Sequence, residues 1–402
     1  MEPADITWVA GPGRKVRLAA QANLPALGPL ATVTRLRATY PELAPAQISA
    51  ACAVAGACIS HADKLGARAQ TVVLTDTLAQ QATNPLVSHY RAQRMSAKGM
   101  KWVIDATTGA GLDALALHAG GLAVTAIEMD ALTYACARAN LPESIDVIHG
   151  DARAIVPELL ATRTGSALFV DPARRDAAGP RRNDGSRAHA ERDPERWSPP
   201  WSWVCEMAML TPSVAKVAPG IPLSFIPSDA TVEWIGIGSE VVEACVWFSP
   251  LSDSASRRAT VITSTGTMES LDNSHDAPPV ALSAIGKLLL EPHDAVIRSG
   301  LVNHLAAQCD ATRITPSSTW LTASSCESKL ARAWQVHNVV PINGLRDALR
   351  SFERVSYKTS DIDRSAHSLA SSVGHRPERD AHGEAWVVMM RDAPVAAIVQ
   401  PA

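Results

Sequence analysis

The sequence predicts an α/β fold, in which an open, mainly parallel sheet follows a helical module and precedes an α+β module. Three observations carry this expectation. Four short apolar runs between residues 101 and 171 each lead into an acid. Apolar residues at helical spacing lie between the runs, as in buried parallel strands joined by crossover helices. A glycine-bearing turn follows the first run, where such sheets place a ligand loop. At 402 residues the chain is too long for one ordinary domain, and 47% apolar content is ample for packed cores. The expected divisions are a helical module over 1–95, the sheet domain over 96–265, and a C-terminal region over 266–402 whose α+β part begins at about 325.

In the first segment Ile48, Cys52, Ala55, Ile59 and Ala62 recur at alternating steps of four and three. They predict an amphipathic helix with Pro45 in its first turn. Residues 1–70 carry no chemistry of their own. Gln80, Gln81, Arg91 and Arg94 are then expected on a helix near the ligand loop.

Lys101–Gly111, KWVIDATTGAG, reads as a strand, a ligand loop and the start of a helix marked by Leu112, Leu115, Ala116 and Ala119. Gly109 and Gly111 lack a Cβ, so a ligand can lie against the backbone while free N–H groups at the helix start face it. The pattern Gly109-x-Gly111-x-x-Ala114 suits a dinucleotide. It equally suits S-adenosylmethionine (SAM), for which an acid at the first strand end, Asp105, lies near the methionyl part. Leu122–Ile127 reads as a second strand ending in Glu128-Met129-Asp130, where the Glu128 carboxylate suits a ribose diol. Ile145–His149 is a third strand, leading into Asp151-Ala152, where a carboxylate suits an adenine amino group. Ala167–Val170 is a fourth, ending in Asp171-Pro172-Ala173-Arg174-Arg175. Acids at four successive strand ends favour SAM over a nicotinamide dinucleotide.

In order along the chain stand LTDTLAQQAT (74–83), the glycine loop, DPARR (171–175), SPPWSWV (198–204), KVAPGIP (216–222), EVVEACVWF (240–248), RRATVI (257–262) and EPHDAVIRSGLV (291–302). In these landmarks the chain resembles class I SAM-dependent methyltransferases, and most closely an uncharacterised bacterial group with a C-terminal THUMP-like domain. The resemblance implies a Rossmann-like seven-stranded methyltransferase sheet, SAM as cofactor, and a base in tRNA or rRNA as acceptor. It implies cofactor contacts from Asp105, Thr107, Gly109, Gly111, Asp113, Glu128, Met129, Asp151 and Ala152. It also implies that residues 74–95 close over the cofactor.

Catalytic roles are expected for Asp171, Pro172 and Arg174. Amino-group methyltransferases carry Asp or Asn, then Pro-Pro and an aromatic, after the fourth strand. Here the second proline is Ala173 and the aromatic is Arg174. Arg174 suits stacking on a base or gripping phosphate. RNA uracil methyltransferases have arginine at this place but need a cysteine nucleophile, and no cysteine here sits in such a motif. Two other functions stay open: an RNA-associated protein that binds SAM without transfer, and a nicotinamide-dependent oxidoreductase.

Residues 174–196 hold seven arginines and five acids, which predicts a solvated insertion as readily as an RNA contact. Trp201 and Trp203 are candidates for base stacking or for the core. Lys216 ends the expected fifth strand. Residues 240–248 and 258–263 are expected as antiparallel strands completing the seven-stranded sheet, and the Ser, Asp and Pro-rich run 264–279 as a linker. Further on, 291–302 predicts a turn and helix, and 333–340 a strand. Leu345, Leu349 and Phe352 predict a helix with Arg346, Arg350 and Arg354 on another face. Residues 355–358 and 385–388 predict strands, with Lys358-Thr359-Ser360 at the place of a Lys-Arg-Gly type turn.

A net charge of −3 and a pI near 6.5 exclude a globally basic nucleic-acid binder, but not an enzyme in brief contact with RNA through a local patch. The seven cysteines include no C-x-x-C pair, so neither a disulfide framework nor a metal site is expected, and most should lie in cores. With no apolar leader and no run long enough to span a bilayer, the expected location is the cytoplasm, away from membranes.

Overall fold

A computed structural model describes residues 1–173, 191, 193–360, 365–390 and 395–402. The chain divides into two compact units, Met1–Val217 with Val246–Leu251, and Ala218–Cys245 with Ser252–Ala402.

The first unit opens with helices α1 (Pro3–Ala10), α2 (Arg14–Thr39), α3 (Pro45–Ser60), α4 (Ala62–Leu65), α5 (Asp76–Gln81) and α6 (Pro85–Ala97). α2 is broken at Gly28, whose φ of 75° lies between Pro25 and Pro29, neither of which can continue an uninterrupted helical ladder. α3 begins at Pro45 as expected, but its buried face runs through Ile48, Ala51, Val54, Ala55 and Cys58. Cys52 and Ile59 are only half-buried and Ala62 is exposed, so the stripe is rotated by about one position from the expected one. Thr75 and Asn84 cap α5 and α6 by accepting hydrogen bonds from Leu78 N–H and Leu86 N–H. The buried faces of α1 to α5 form one core with Leu112, Ala135 and Cys136.

The sheet of this unit is β1 (Trp102–Asp105), β2 (Ala123–Glu128), β3 (Asp146–His149), β4 (Ala167–Val170) and β5 (Ser213–Val217), alternating with α7 (Leu112–Ala119), α8 (Ala131–Asn140), α9 (Ala152–Thr162) and α10 (Trp201–Leu210). The strand order is β3-β2-β1-β4-β5, all parallel, as the apolar runs predict. The order reverses at β1, so the carboxyl ends of β1 and β4 flank the switch point, where open α/β sheets bind ligands.

The second unit holds β6 (Thr231–Ile237), most of β7 (Glu240–Trp247), β8 (Arg257–Ile262) and β9 (Met268–Asp272). The expected seven-stranded sheet is corrected here. β6 lies outside every predicted strand, β8 runs parallel to β6, and β9 falls within the expected linker and pairs antiparallel with β8. β6 escapes pattern reading because the fully buried Glu233 interrupts its apolar run, held inside by Thr260 Oγ1 at 2.5 Å and Arg258 Nε at 3.5 Å. β9 escapes it because half-buried Glu269, Ser270 and Asp272 make it read as polar linker.

A second sheet follows, from β10 (Leu288–Pro292), β11 (Thr312–Arg313), β12 (Leu321–Ala323), β13 (Ala331–Pro341), β14 (Arg354–Ser360), β15 (Glu384–Met390) and β16 (Val395–Pro401), in the order β11-β12-β10-β13-β16-β15-β14. α11 (Asp294–Arg298) packs on β6 and β8 and α12 (Val302–Gln308) on β9, whereas α13 (Leu345–Ala348) and α14 (Ala366–Val373) pack on this sheet. Leu345, Leu349, Leu369, Val387 and Ile398 form a core on one face; Leu289, Trp334, Val388 and Val399 form another. α13 is a single turn, and Arg354 stands in β14, so the expected helical arginine row does not form. Arg350 instead faces Asp347, and Arg354 pairs with Glu384. Lys358 lies within β14 rather than in a turn.

No helix among the described residues is long and apolar enough to cross a membrane.

Candidate functional site

The loop between β1 and α7 gathers the acids. Asp105 ends β1 with no exposed surface, and its carboxylate accepts hydrogen bonds from Thr108 Oγ1 at 2.8 Å and, weakly, from Thr107 N–H at 3.4 Å. Burial, then the nearby charge of Asp113, pushes its carboxyl up to about 8, against the pull of those two hydrogen bonds. Gly109 and Gly111 have φ of 56° and 86°. A Cβ on Gly111 would lie 2.8 Å from Leu141 Cγ, whereas one on Gly109 would meet nothing within 4 Å. Gly111 is thus demanded by packing, and Gly109 opens on free space.

Glu128, at the end of β2, accepts from Gly109 N–H at 3.0 Å and from Asp130 N–H at 2.8 Å. Burial raises its carboxyl despite these bonds. Each carboxylate oxygen keeps a second lone pair, so a diol can be held from the same side chain. Met129 beside it is exposed, with its carbonyl 3.1 Å from His149 Nε2, and His149 stacks on Tyr134 at 5.0 Å. Asp151 caps α9 at Arg153 N–H, 2.9 Å, and its carboxylate is gripped by the Arg153 guanidinium, whose hydrogen bond is the main reason its carboxyl is lowered. Ala152 is buried in the first turn of α9.

Asp113, in the first turn of α7, is engaged by Arg91 of α6 and by Thr83 just before α6. One carboxylate oxygen pairs with Arg91, the other accepts from Thr83 Oγ1 at 2.7 Å. Burial alone would raise its carboxyl, but Arg91 and Lys216 hold it below the usual range. Arg91 is itself buried and lies over the Phe169 ring at 4.6 Å, while Gln80 and Gln81 are exposed. Of the helical residues expected near the loop, Arg91 meets Asp113 in the first turn of α7, and Arg94 lies over the Trp247 ring at 4.1 Å.

Asp171 follows β4. Its N–H donates to Thr107 Oγ1 at 2.6 Å, which ties it to the glycine loop, and its carboxylate accepts from Lys216 Nζ at 2.7 Å. Lys216 Nζ also donates to Thr83 Oγ1 at 3.0 Å. Arg91, Asp113, Thr83, Lys216 and Asp171 thus form one polar chain from α6 to the ends of β4 and β5. Thr83 carried no signal beyond lying in the 74–83 landmark, because its role depends on partners 30 and 133 residues away. Pro172 is buried, and Ala173 bridges to Ser198 by two backbone hydrogen bonds of 2.8 and 3.0 Å. Arg174 and Arg175 lie outside the described residues. Trp201 is buried against Phe248 at 5.9 Å, which assigns it to the core, whereas Trp203 is half-buried.

The set fits SAM. An open glycine cradle adjoins the Glu128 carboxylate, each oxygen of which keeps a lone pair, and further acids stand at the same sheet edge. Among the described residues no group of three His, Cys, Asp or Glu is placed to hold a metal ion.

No protein-family model matches the chain. Two curated relatives from Mycobacterium tuberculosis, strains CDC 1551 / Oshkosh and ATCC 25618 / H37Rv, are each described as an uncharacterized S-adenosylmethionine-dependent methyltransferase. Each is 27% identical over 256 residues, which cover 62% of this chain. The chain spans 65% of the length of the curated relatives it matches. The crystal structure described as a "putative methyltransferase" from Porphyromonas gingivalis W83 has a TM-score of 0.73 with this chain at 19% identity, covering 100% of this chain and 99% of that one. At that identity the likeness shows the fold, an α/β methyltransferase fold.

Proposed function

We propose that the protein is a class I SAM-dependent methyltransferase whose acceptor is a base in tRNA or rRNA, with the C-terminal region acting as a THUMP-like RNA module. The observation that carries the reading is the loop 107–111, which engages Glu128 through Gly109 and Asp171 through Thr107. A cofactor carboxylate and an acceptor carboxylate are thereby fixed to one backbone segment. The descriptions of the two mycobacterial relatives support SAM as the cofactor. The RNA acceptor rests on the sequence resemblance.

In this reading Glu128 holds the ribose diol, and Asp151, Ala152 and Met129 frame the adenine. Gly109 and Thr107 line the methionyl part near Asp105. Gly111 and Asp113 shape the loop through Leu141 and Arg91. Bound SAM supplies a methyl group on a sulfonium, so the reaction asks mainly for alignment. Asp171 accepts a hydrogen bond from the acceptor N–H and orients its lone pair. Lys216 fixes the rotamer of Asp171, and Pro172 with the Ala173–Ser198 bridge fixes the backbone that carries it. Arg174 anchors the base or its phosphate.

The test is transfer of labelled methyl from SAM to total RNA from cells lacking the gene, with protein extract and small metabolites in parallel. RNA labelling that disappears with Asp171→Ala is expected, and digestion then identifies the nucleoside. A protein that binds SAM yet labels no fraction would be a SAM-binding protein without transfer. Label in protein or metabolites alone would keep the methyltransferase and discard the RNA acceptor.

A further inference from the structure

Cys309, at the end of α12, and Cys326, between β12 and β13, bring their sulfurs to 2.8 Å of each other. This is closer than ordinary non-bonded sulfur contact, although both residues are free thiols separated by 17 positions in the chain. Neither is sealed in a core. Both are half-buried on an open cavity of about 480 Å³, lined also by Glu269, Gln308, Asp310, Glu327 and Ser328.

The approach is built rather than incidental. Glu269 of β9 accepts from Gln308 Nε2 at 2.6 Å, one residue before Cys309. It also accepts from Ser328 Oγ at 2.7 Å and Lys329 N–H at 2.6 Å, just after Cys326. One carboxylate therefore clamps the two cysteine-bearing segments together. Asp310, immediately after Cys309, has a φ of 47°, a left-handed conformation uncommon for a residue with a side chain, which turns the chain sharply at the pair.

We propose that Cys309 and Cys326 are a redox-active dithiol that closes to an intramolecular disulfide by exchange with neutral or cationic low-molecular-weight disulfides. The Cys326 thiolate attacks one sulfur of the small disulfide and releases its first half as a thiolate, which takes up a proton. Cys309 then attacks the Cys326 sulfur of the mixed disulfide, its proton passing to the second departing half. Two protein thiols and one small disulfide thus become one protein disulfide and two small thiols. The order follows from the surroundings. Burial, the hydrogen bond that the Cys309 S–H donates to Cys326, and the charges of Cys326 and Glu269 push the Cys309 thiol up to about 12, so Cys309 serves as the resolving partner. The acids lining the cavity select against an anionic disulfide.

The experiment treats the full-length protein with cystamine or with oxidised glutathione and follows thiol loss and peptide masses over time. The expected product is a 309–326 cross-link with two hydrogens lost and two thiols consumed per chain, formed at least several-fold faster with cystamine and reversed by dithiothreitol. Cys309→Ser should trap a stable mixed disulfide on Cys326, while Cys326→Ser should leave Cys309 largely unmodified. The proposal is overturned if Cys326 in the unaltered protein stays a mixed disulfide without closing, if the cross-link joins other cysteines, or if both thiols persist. Equal rates with the two reagents would overturn the charge selection alone.

Discussion

Asp105 shows how one buried carboxyl links stability to pH. Its carboxyl is raised from 3.8 to about 8, so the folded chain holds this proton more tightly than the unfolded chain does. Its contribution to stability is full below about pH 4, is lost as pH rises towards about 8, and stays lost above that. Asp105→Asn keeps the shape without the charge. The variant should be more stable than the unaltered protein at pH 8 and no more stable at pH 4, measured by urea unfolding of the full chain. A difference independent of pH would contradict the assignment. The two loop glycines should separate folding from binding. Gly111→Ala meets Leu141 and should cost about 2–3 kcal/mol of stability. Gly109→Ala meets nothing and should cost about 1 kcal/mol through its backbone alone, yet weaken SAM binding at least tenfold by calorimetry. Lys216→Met should leave SAM affinity within about twofold and lower methyl transfer by about 10²-fold, because it frees Asp171 to rotate. An unchanged transfer rate would make Lys216 a structural neighbour only.

Strands and helices differ in how openly the chain declares them. β1 and β4 are short apolar runs buried along almost their whole length, and the ends of β1 to β4 lead into acids, so these strands and the edge that carries the acids are legible. β8 is organised by charge. Arg258 pairs with Asp272 at 3.2 Å and Asp253 at 3.4 Å and lies 3.5 Å from the fully buried Glu233 of β6. The arginine of the RRATVI landmark therefore has a structural task. Arg258→Met should cost about 3 kcal/mol or more in urea unfolding by leaving Glu233 with less compensation, and a loss below about 1 kcal/mol would mean that the remaining partners suffice. Lys358, which opens the Lys358-Thr359-Ser360 stretch at the place of a Lys-Arg-Gly type turn, is bound to both oxygens of Glu291 at 2.6 and 2.9 Å and lies 5.2 Å from the Trp334 ring. That engagement argues against its being a phosphate contact, and it could not be foreseen because Glu291 lies 67 positions earlier.

Over the full chain, a net charge of −3 limits how strongly any RNA is held by its phosphates. If RNA is the acceptor, the slope of log affinity against log salt should be no steeper than about −3, since each neutralised phosphate of a single strand contributes about −0.7. A slope steeper than about −5 would require a concentrated basic surface, to which Arg350, Arg354 and Lys358 contribute little because each faces an acid. The cysteines make a similar point about distance in the chain. Cys58, Cys136 and Cys245 are buried, but Cys52, Cys205, Cys309 and Cys326 are only half-buried, so fewer of the seven lie in cores than expected, and Cys309 and Cys326 meet only through the folding of the second unit.

Sequence by itself determined the alternation of apolar runs and helical stripes, the glycine loop, and the acids at the ends of β1 to β4. These are local properties, set by period and by the need of a buried strand to be apolar on both faces. Tertiary structure alone decided that Asp113 turns to Arg91 and Thr83, that Lys216 meets Asp171, that β6 and β9 are strands, and that two distant cysteines touch. Each depends on groups, several of them buried and charged, meeting partners far along the chain. Burial makes such pairing compulsory, but sequence spacing does not encode it.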